Sequence, residues 1–235
     1  MLRSIRYAEA DRILHLYTAD RGRVGAIAKG VRRTMSRFGA RLEPLSHVEL
    51  MLHQGGGELH TVTGVDLVRP HSATREDPYR LAVGLIGAEA MLRLFTEQEA
   101  NERAFGALTR FLDLLDGTSG GSQPELDPLG LSFQLKLLWL SGYLPHVDGC
   151  AECGSPGPLA GYSARAGGTV CTACGAGALP LSADGLKGMT ALLRSPLADA
   201  PTAGLTKRGA RDVLAVVTSS YEEHGGFRLR TLRAG

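Results

Sequence analysis

All four cysteines of the 235-residue chain fall in one short segment, as Cys150-x2-Cys153 and, seventeen residues later, Cys171-x2-Cys174. Two thiolates three positions apart on a tight turn both reach one metal ion, and two such turns complete a tetrahedron, so this spacing reads as a four-cysteine zinc site. Gly154 and Gly175 directly follow the second cysteine of each pair, where positive φ would let the backbone wrap the metal. The intervening GSPGPLAGYSARAGGTV is too poor in apolar residues to supply a core of its own. The start MLRSIRYAEAD lacks a signal-peptide apolar segment, and the apolar runs are broken by Gly, Glu and Arg. A cytoplasmic chain with no membrane association is therefore expected, which disfavours two disulfides. Redox catalysis would need a CxxC at a helix start on a thioredoxin-like unit, which is not visible. Four thiolates leave no open coordination position, so one structural Zn2+ is expected.

Toward the N-terminus the pattern has a period of two, with β-branched residues in RILHLYT, GRVGAIAKGV, SHVELMLHQ and ELHTVTGVDL. Turn residues separate them, Ala19-Asp20-Arg21-Gly22 before the second and Gly55-Gly56-Gly57 before the last. Several short strands without room for crossover helices predict a small barrel of the OB type, or a similar sheet, over residues 1–70.

Charge is segregated along the chain. Residues 1–41 carry ten basic and three acidic side chains, net +7, so the rest is net −5 in a chain of net +2. The stretch AIAKGVRRTMSRFGARLEP concentrates Lys29, Arg32, Arg33, Arg37 and Arg41 between the third and fourth strands, with Arg21 and Arg23 at the preceding turn. An OB barrel binds nucleic acid through such a cationic groove together with aromatic faces that stack bases. Phe38 and Tyr17 are the aromatic candidates, and each is equally a candidate for the core. The expected mode is sequence-tolerant phosphate binding, with a log–log salt slope of roughly −3 to −4 if four to six cations touch a single strand.

After Pro70 the period becomes helical, with Leu81, Leu85, Ala88, Leu92 and Phe95 and then Phe105, Leu108, Leu112 and Leu115. Glu76, Asp77 and Pro78 mark an acidic start. GTSGGSQPELDP reads as a flexible surface loop, and LSFQLKLLWLSGYLP as a central buried helix ended by Gly142 and Pro145. Two further helices are expected, over 183–193 and 207–223. The chain is thus an α+β multidomain protein: an OB barrel at 1–70, a helical domain at 71–149 and 179–235, and a four-cysteine zinc module at 150–178 inserted in it.

Catalytic signatures are missing. There is no phosphate loop, Gly185-Leu186-Lys187-Gly188 lacking both spacing and hydroxyl, and no HExxH or GxSxG. The seven histidines are scattered; His53 and His60 flank the triple glycine and could face each other across a hairpin, although solvated or strand-packing histidines are far more common. A non-enzyme is expected.

EADRILHLYTADRGRVGAIAKGVRR, RFGARLEPLSHVEL, FQLKLLWLSGYLPHVDGCAECG and GGTVCTACG, in that order, resemble the bacterial DNA-repair and recombination-mediator family RecO. The resemblance implies the same three parts. It also implies binding of single- and double-stranded DNA, ATP-free annealing, and action with RecR and RecF in the RecFOR pathway of recombinational repair of DNA damage at the nucleoid. Contact with the C-terminal tail of single-stranded-DNA-binding protein (SSB), helping RecA displace it, is implied too. By resemblance, Arg21, Arg23, Lys29, Arg32, Arg33, Arg37 and Arg41 would meet DNA. The acidic, apolar-ended SSB tail would need a groove with a cation, for which Arg103, Arg110 and Lys136 are candidates. Annealing two mutually repelling strands calls for a second basic surface, for which Lys207, Arg208 and Arg211 at a helix start, with Arg228, Arg230 and Arg233 in the tail, are candidates, solvated helix ends being the plainer reading. A zinc-stabilised RNA- or ribosome-binding protein and an adaptor docking its basic loop on an acidic protein such as a RecR ring are the competing readings.

Overall fold

Alternation near the N-terminus becomes five strands in the computed structural model: β1 (Arg3–Tyr7), β2 (Asp11–Thr18), β3 (Gly22–Ala28), β4 (His47–His53) and β5 (His60–Arg69). The structure describes every residue except 34, 35, 37, 39, 40, 234 and 235. Alternate residues of β2 and β3 turn Leu14, Leu16, Val24, Ala26 and Ala28 into one apolar cluster with Val31, Phe38, Leu42, Val62 and Val65. The sheet order is β1-β2-β3-β5-β4, with β3 and β5 parallel through Ala26 opposite His60 and the other pairs antiparallel. This matches the five-stranded, partly open sheet expected of the OB type. Among the described residues no ladder joins the edge strands β1 and β4, but the Leu45 N–H donates to the Met1 carbonyl at 2.8 Å beside them.

The histidines flanking the triple glycine follow the strand-packing and solvated alternatives rather than the hairpin pairing. His60 is buried opposite Ala26, whereas exposed His53 lies opposite Thr61, so the two histidines do not face each other.

Three helices complete the first compact unit, Met1–Gly120: α1 (Ser72–Glu76), α2 (Pro78–Leu94) and α3 (Glu102–Asp116). Asp77 caps α2 by accepting from the Arg80 N–H at 2.8 Å, and Asn101 caps α3 by accepting from the Ala104 N–H at 2.9 Å. A buried network anchors α1 to α3. His71 Nδ1 lies 2.8 Å from Asp116 Oδ2, and Thr74 donates from both its N–H and its hydroxyl to Asp116 Oδ1. Burial pushes the Asp116 carboxyl up, but these hydrogen bonds outweigh it and hold the group below the usual carboxylate range.

The second unit, Gly121–Gly235, holds α4 (Pro128–Leu140), β6 (Leu159–Ser163), β7 (Gly168–Cys171), β8 (Leu179–Pro180), α5 (Ala183–Arg194) and α6 (Lys207–Gly225). The expected loop before α4 contains a 3-10 turn, Pro124–Leu126, and ends in Asp127, which caps α4 by accepting from the Gly130 N–H at 2.8 Å. Ser182 and Thr206 cap α5 and α6 in the same way. Leu131, Phe133, Leu135, Leu137 and Leu138 of α4 are buried, as are Met189 and Leu192 of α5 and Val213, Val216, Val217 and Tyr221 of α6. The expected central buried helix is α4, although Trp139 in its last turn is 51% exposed.

Candidate metal centre and nucleic-acid interface

The cysteine segment makes a three-stranded sheet in the order β7-β6-β8. Its core is small: Cys150, Val170 and Cys171 are buried, with Leu159, Ala166, Cys174 and Ala178 packed against them. The turn after Cys150 closes with the Gly154 N–H donating to the Cys150 carbonyl at 2.8 Å, and Gly154 takes φ +74°. Gly175 does not repeat this. In the second turn the left-handed residue is Gly177, at φ +76°, while Gly175 is held small because a Cβ there would lie 3.0 Å from the Cys171 carbonyl. The stretch between the pairs is tied to its surroundings by polar groups. Ala151 N–H donates to the Thr169 carbonyl and Thr169 N–H to the His146 carbonyl, both at 2.8 Å. The Tyr162 hydroxyl meets the Ser220 hydroxyl of α6 at 2.7 Å.

The four sulfurs all lie within 4.8 Å of one another, with Cys153 and Cys171 Sγ 3.8 Å apart. A tetrahedron with Zn–S bonds of about 2.3 Å has edges of roughly 3.8 Å, so the donor set fits a four-coordinate thiophilic ion. The electrostatics agree. Backbone N–H groups of Cys171, Cys153 and Glu152 aim at Cys150 and pull its thiol down to about 6, while the crowd of neighbouring sulfurs pushes Cys174 up to about 12. Packed thiols this close resist joint ionisation unless a cation sits among them.

The basic stretch has a simple local construction. After β3 ends, Gly30 turns the chain at φ +66° with its N–H on the Asp11 carboxylate at 2.7 Å. Val31 then enters the core, leaving Lys29, Arg32 and Arg33 exposed on either side of it. The Arg32 guanidinium also donates to the Glu9 carbonyl at 2.9 Å, which ties its exposed head to the β1–β2 turn. Among the described residues, no ion pair engages Lys29, Arg32 or Arg33.

The other sequence-predicted cations differ. Arg21 is exposed beside Asp20 at 3.6 Å. Arg23 is committed to the first unit's own structure, donating to the Leu92 carbonyl and pairing with Glu97 at 3.1 Å. Arg41 is exposed but donates to the Val65 carbonyl at 2.8 Å. Arg37 lies outside the described residues. Arg3 and Arg6 on the edge strand β1 are exposed as well, which period-two alternation alone did not single out. Neither aromatic candidate offers a free face: Phe38 belongs to the barrel core, and Tyr17 is buried edge-on to Phe95 at a centroid distance of 5.6 Å.

Lys207, Arg208 and Arg211 are all exposed on the first turns of α6. A helix N-terminus disfavours cations, so this placement needs a partner charge to be comfortable. Arg103 and Arg110 are exposed on α3 of the first unit, seven positions and thus about two turns apart. Lys136 belongs to the second unit and is half-buried. Its ammonium donates to the Ser195 carbonyl at 2.9 Å, closing the C-terminal end of α5, and burial lowers its pKa.

No described helix is long and apolar enough to cross a membrane. Residues 1–71 match the family described as Recombination protein O N terminal, and residues 75–233 match Recombination protein O C terminal. The chain is 42% identical over 230 residues to the DNA repair protein RecO of Rubrobacter xylanophilus, covering 94% of this chain and 88% of that one. It is 35% identical over 237 residues to the DNA repair protein RecO of Thermobifida fusca, covering 99% and 94%. With both halves matched and relatives aligned over nearly their full length, the chain belongs to the RecO family of DNA repair proteins.

Proposed function

We propose that the chain is a non-catalytic DNA-binding protein that anneals complementary strands without ATP in recombinational repair. It works in the cytoplasm at the nucleoid with RecR and RecF, engages the SSB tail, and helps RecA load on SSB-coated single strands. It binds both single- and double-stranded DNA, and one Zn2+ holds its cysteine module. The observation that carries this reading is the exposed, acid-free set Lys29, Arg32 and Arg33, held outward by buried Val31 in a chain of the RecO family.

Phosphate binding follows from charge alone, since such cations displace condensed counterions from any strand. Annealing follows if a second strand is held at Lys207, Arg208 and Arg211, because each surface screens the repulsion between the strands it brings together. The zinc would supply only structural stability, its four thiolate ligands Cys150, Cys153, Cys171 and Cys174 leaving no position for substrate.

The test is ATP-free annealing of complementary strands coated beforehand with SSB, run beside a Lys29/Arg32/Arg33→Glu variant. Fast annealing by the native chain, abolished in the variant, supports the reading. Absence of annealing with RecR binding intact refutes it and makes the basic stretch a protein-docking site. A binding comparison on single-stranded DNA and RNA of equal length separates the DNA reading from an RNA one.

A further inference from the structure

The apolar helix α4 ends in a surface that the protein's own core does not use. Trp139, the sole tryptophan, is 51% exposed, Tyr143 41% and Leu144 51%, and no other large apolar side chain of the second unit is as open among the described residues. The segment is rigidly built. The Tyr143 N–H donates to the Leu138 carbonyl at 2.7 Å and the Gly142 N–H to the Trp139 carbonyl at 3.0 Å, with Gly142 at φ +89°. That is the Schellman arrangement, and it fixes where the chain leaves the helix. The Tyr143 ring is then stacked on His224 of α6, centroids 4.4 Å apart and planes within 6°.

Resting on the nucleic-acid reading above, we propose that Trp139 and Tyr143, the latter backed by His224, form a base-stacking platform for single-stranded nucleic acid. Sequence-tolerant single-strand binding combines cations with aromatic faces. Among the described residues Tyr17 and Phe38 of the first unit are buried, and Tyr7 on its edge strand, 52% exposed, is its one open Tyr, Phe or Trp ring. Within the second unit, Trp139 and Tyr143 offer flat aromatic faces. Half exposure of three such side chains leaves on the order of 300 Å². That is well below the ~800 Å² per partner that a stable protein interface buries, yet ample for bases stacking one at a time.

Charge points the same way to stacking rather than phosphate contact. Arg228, just beyond α6, is paired with Glu222, and Asp148, four residues after Leu144, is paired with Arg194. The platform therefore adds affinity that does not depend on counterion release, which distinguishes it from the basic stretch.

The experiment titrates the full chain with an oligo-dT strand while reading Trp139 emission, then measures binding of labelled strand by anisotropy across salt. Trp139→Ala, Tyr143→Ala and an abasic strand of equal length are the comparisons. The platform predicts saturable quenching by oligo-dT and none by the abasic strand. It also predicts roughly tenfold weaker binding by each variant at every salt concentration, with the log–log slope unchanged and the folded state retained at the binding temperature. Binding of oligo-dT with unchanged Trp139 emission and native affinity in both variants overturns the platform alone and assigns the surface to a protein partner. Failure of the native chain to bind any strand overturns the platform together with the DNA reading.

Discussion

Removing the metal should unfold the cysteine module while leaving the helices of its own unit folded. The module's buried cluster consists of Cys150, Val170 and Cys171, so apart from two proposed ligands it contains a single fully buried aliphatic side chain. Burying one valine stabilises by about 1.5–3 kcal/mol. A structural zinc contributes apparent values of about 10–16 kcal/mol in small metal-dependent folds. The metal therefore outweighs that one valine roughly fivefold. The helices α4, α5 and α6 have their own buried leucines and valines and do not share this dependence. The assay is hydrogen exchange on the native protein, shown by elemental analysis to hold one Zn per chain, before and after chelation. The Ala151 and Thr169 amides, which donate across the module at 2.8 Å, should lose protection, whereas those of Leu135 and Leu137 in α4 should keep it. Protected Ala151 and Thr169 amides in protein verified free of metal would refute the reasoning.

Two further perturbations probe what surrounds the sites. Gly168→Ala places a Cβ 2.6 Å from the His146 carbonyl oxygen, a backbone atom that cannot swing aside, so β7 must shift; zinc retention under a competing chelator and the melting temperature should both fall. Asp116→Asn deprives buried His71 of its carboxylate and should cost about 1–3 kcal/mol in urea unfolding at pH 7. Because the folded carboxyl is held below its ordinary value, its stabilisation is complete above about pH 4 and lost as pH falls through the lower folded value. The gap between native and variant should accordingly close toward pH 3, and a gap constant from pH 7 to pH 3 would contradict this origin.

Features set by neighbours along the chain were legible in the sequence. The cysteine spacing dictates its own geometry, the period of β2 and β3 marks their inward faces, and Lys29-Gly30-Val31-Arg32-Arg33 offers one apolar residue to bury among cations that stay outside. What escaped depends on partners far along the chain. Arg23 reads as a surface cation until the Leu92 carbonyl, sixty-nine residues away, takes its guanidinium. The two turns after CxxC look alike, yet close contact with the Cys171 carbonyl at Gly175 moves the left-handed residue to Gly177. A helix apolar nearly all round carries no signal for which face stays open, so the exposure of Trp139 emerges only once α5 and α6 have taken the rest of α4.

The most direct test of the phosphate-binding surface is the salt dependence of single-strand binding. Four exposed cations, Arg21, Lys29, Arg32 and Arg33, give an expected log–log slope of about −3, and replacing Lys29, Arg32 and Arg33 with Gln should reduce it to about −1. A slope near −3 in both proteins would contradict the account and place the DNA elsewhere on the chain.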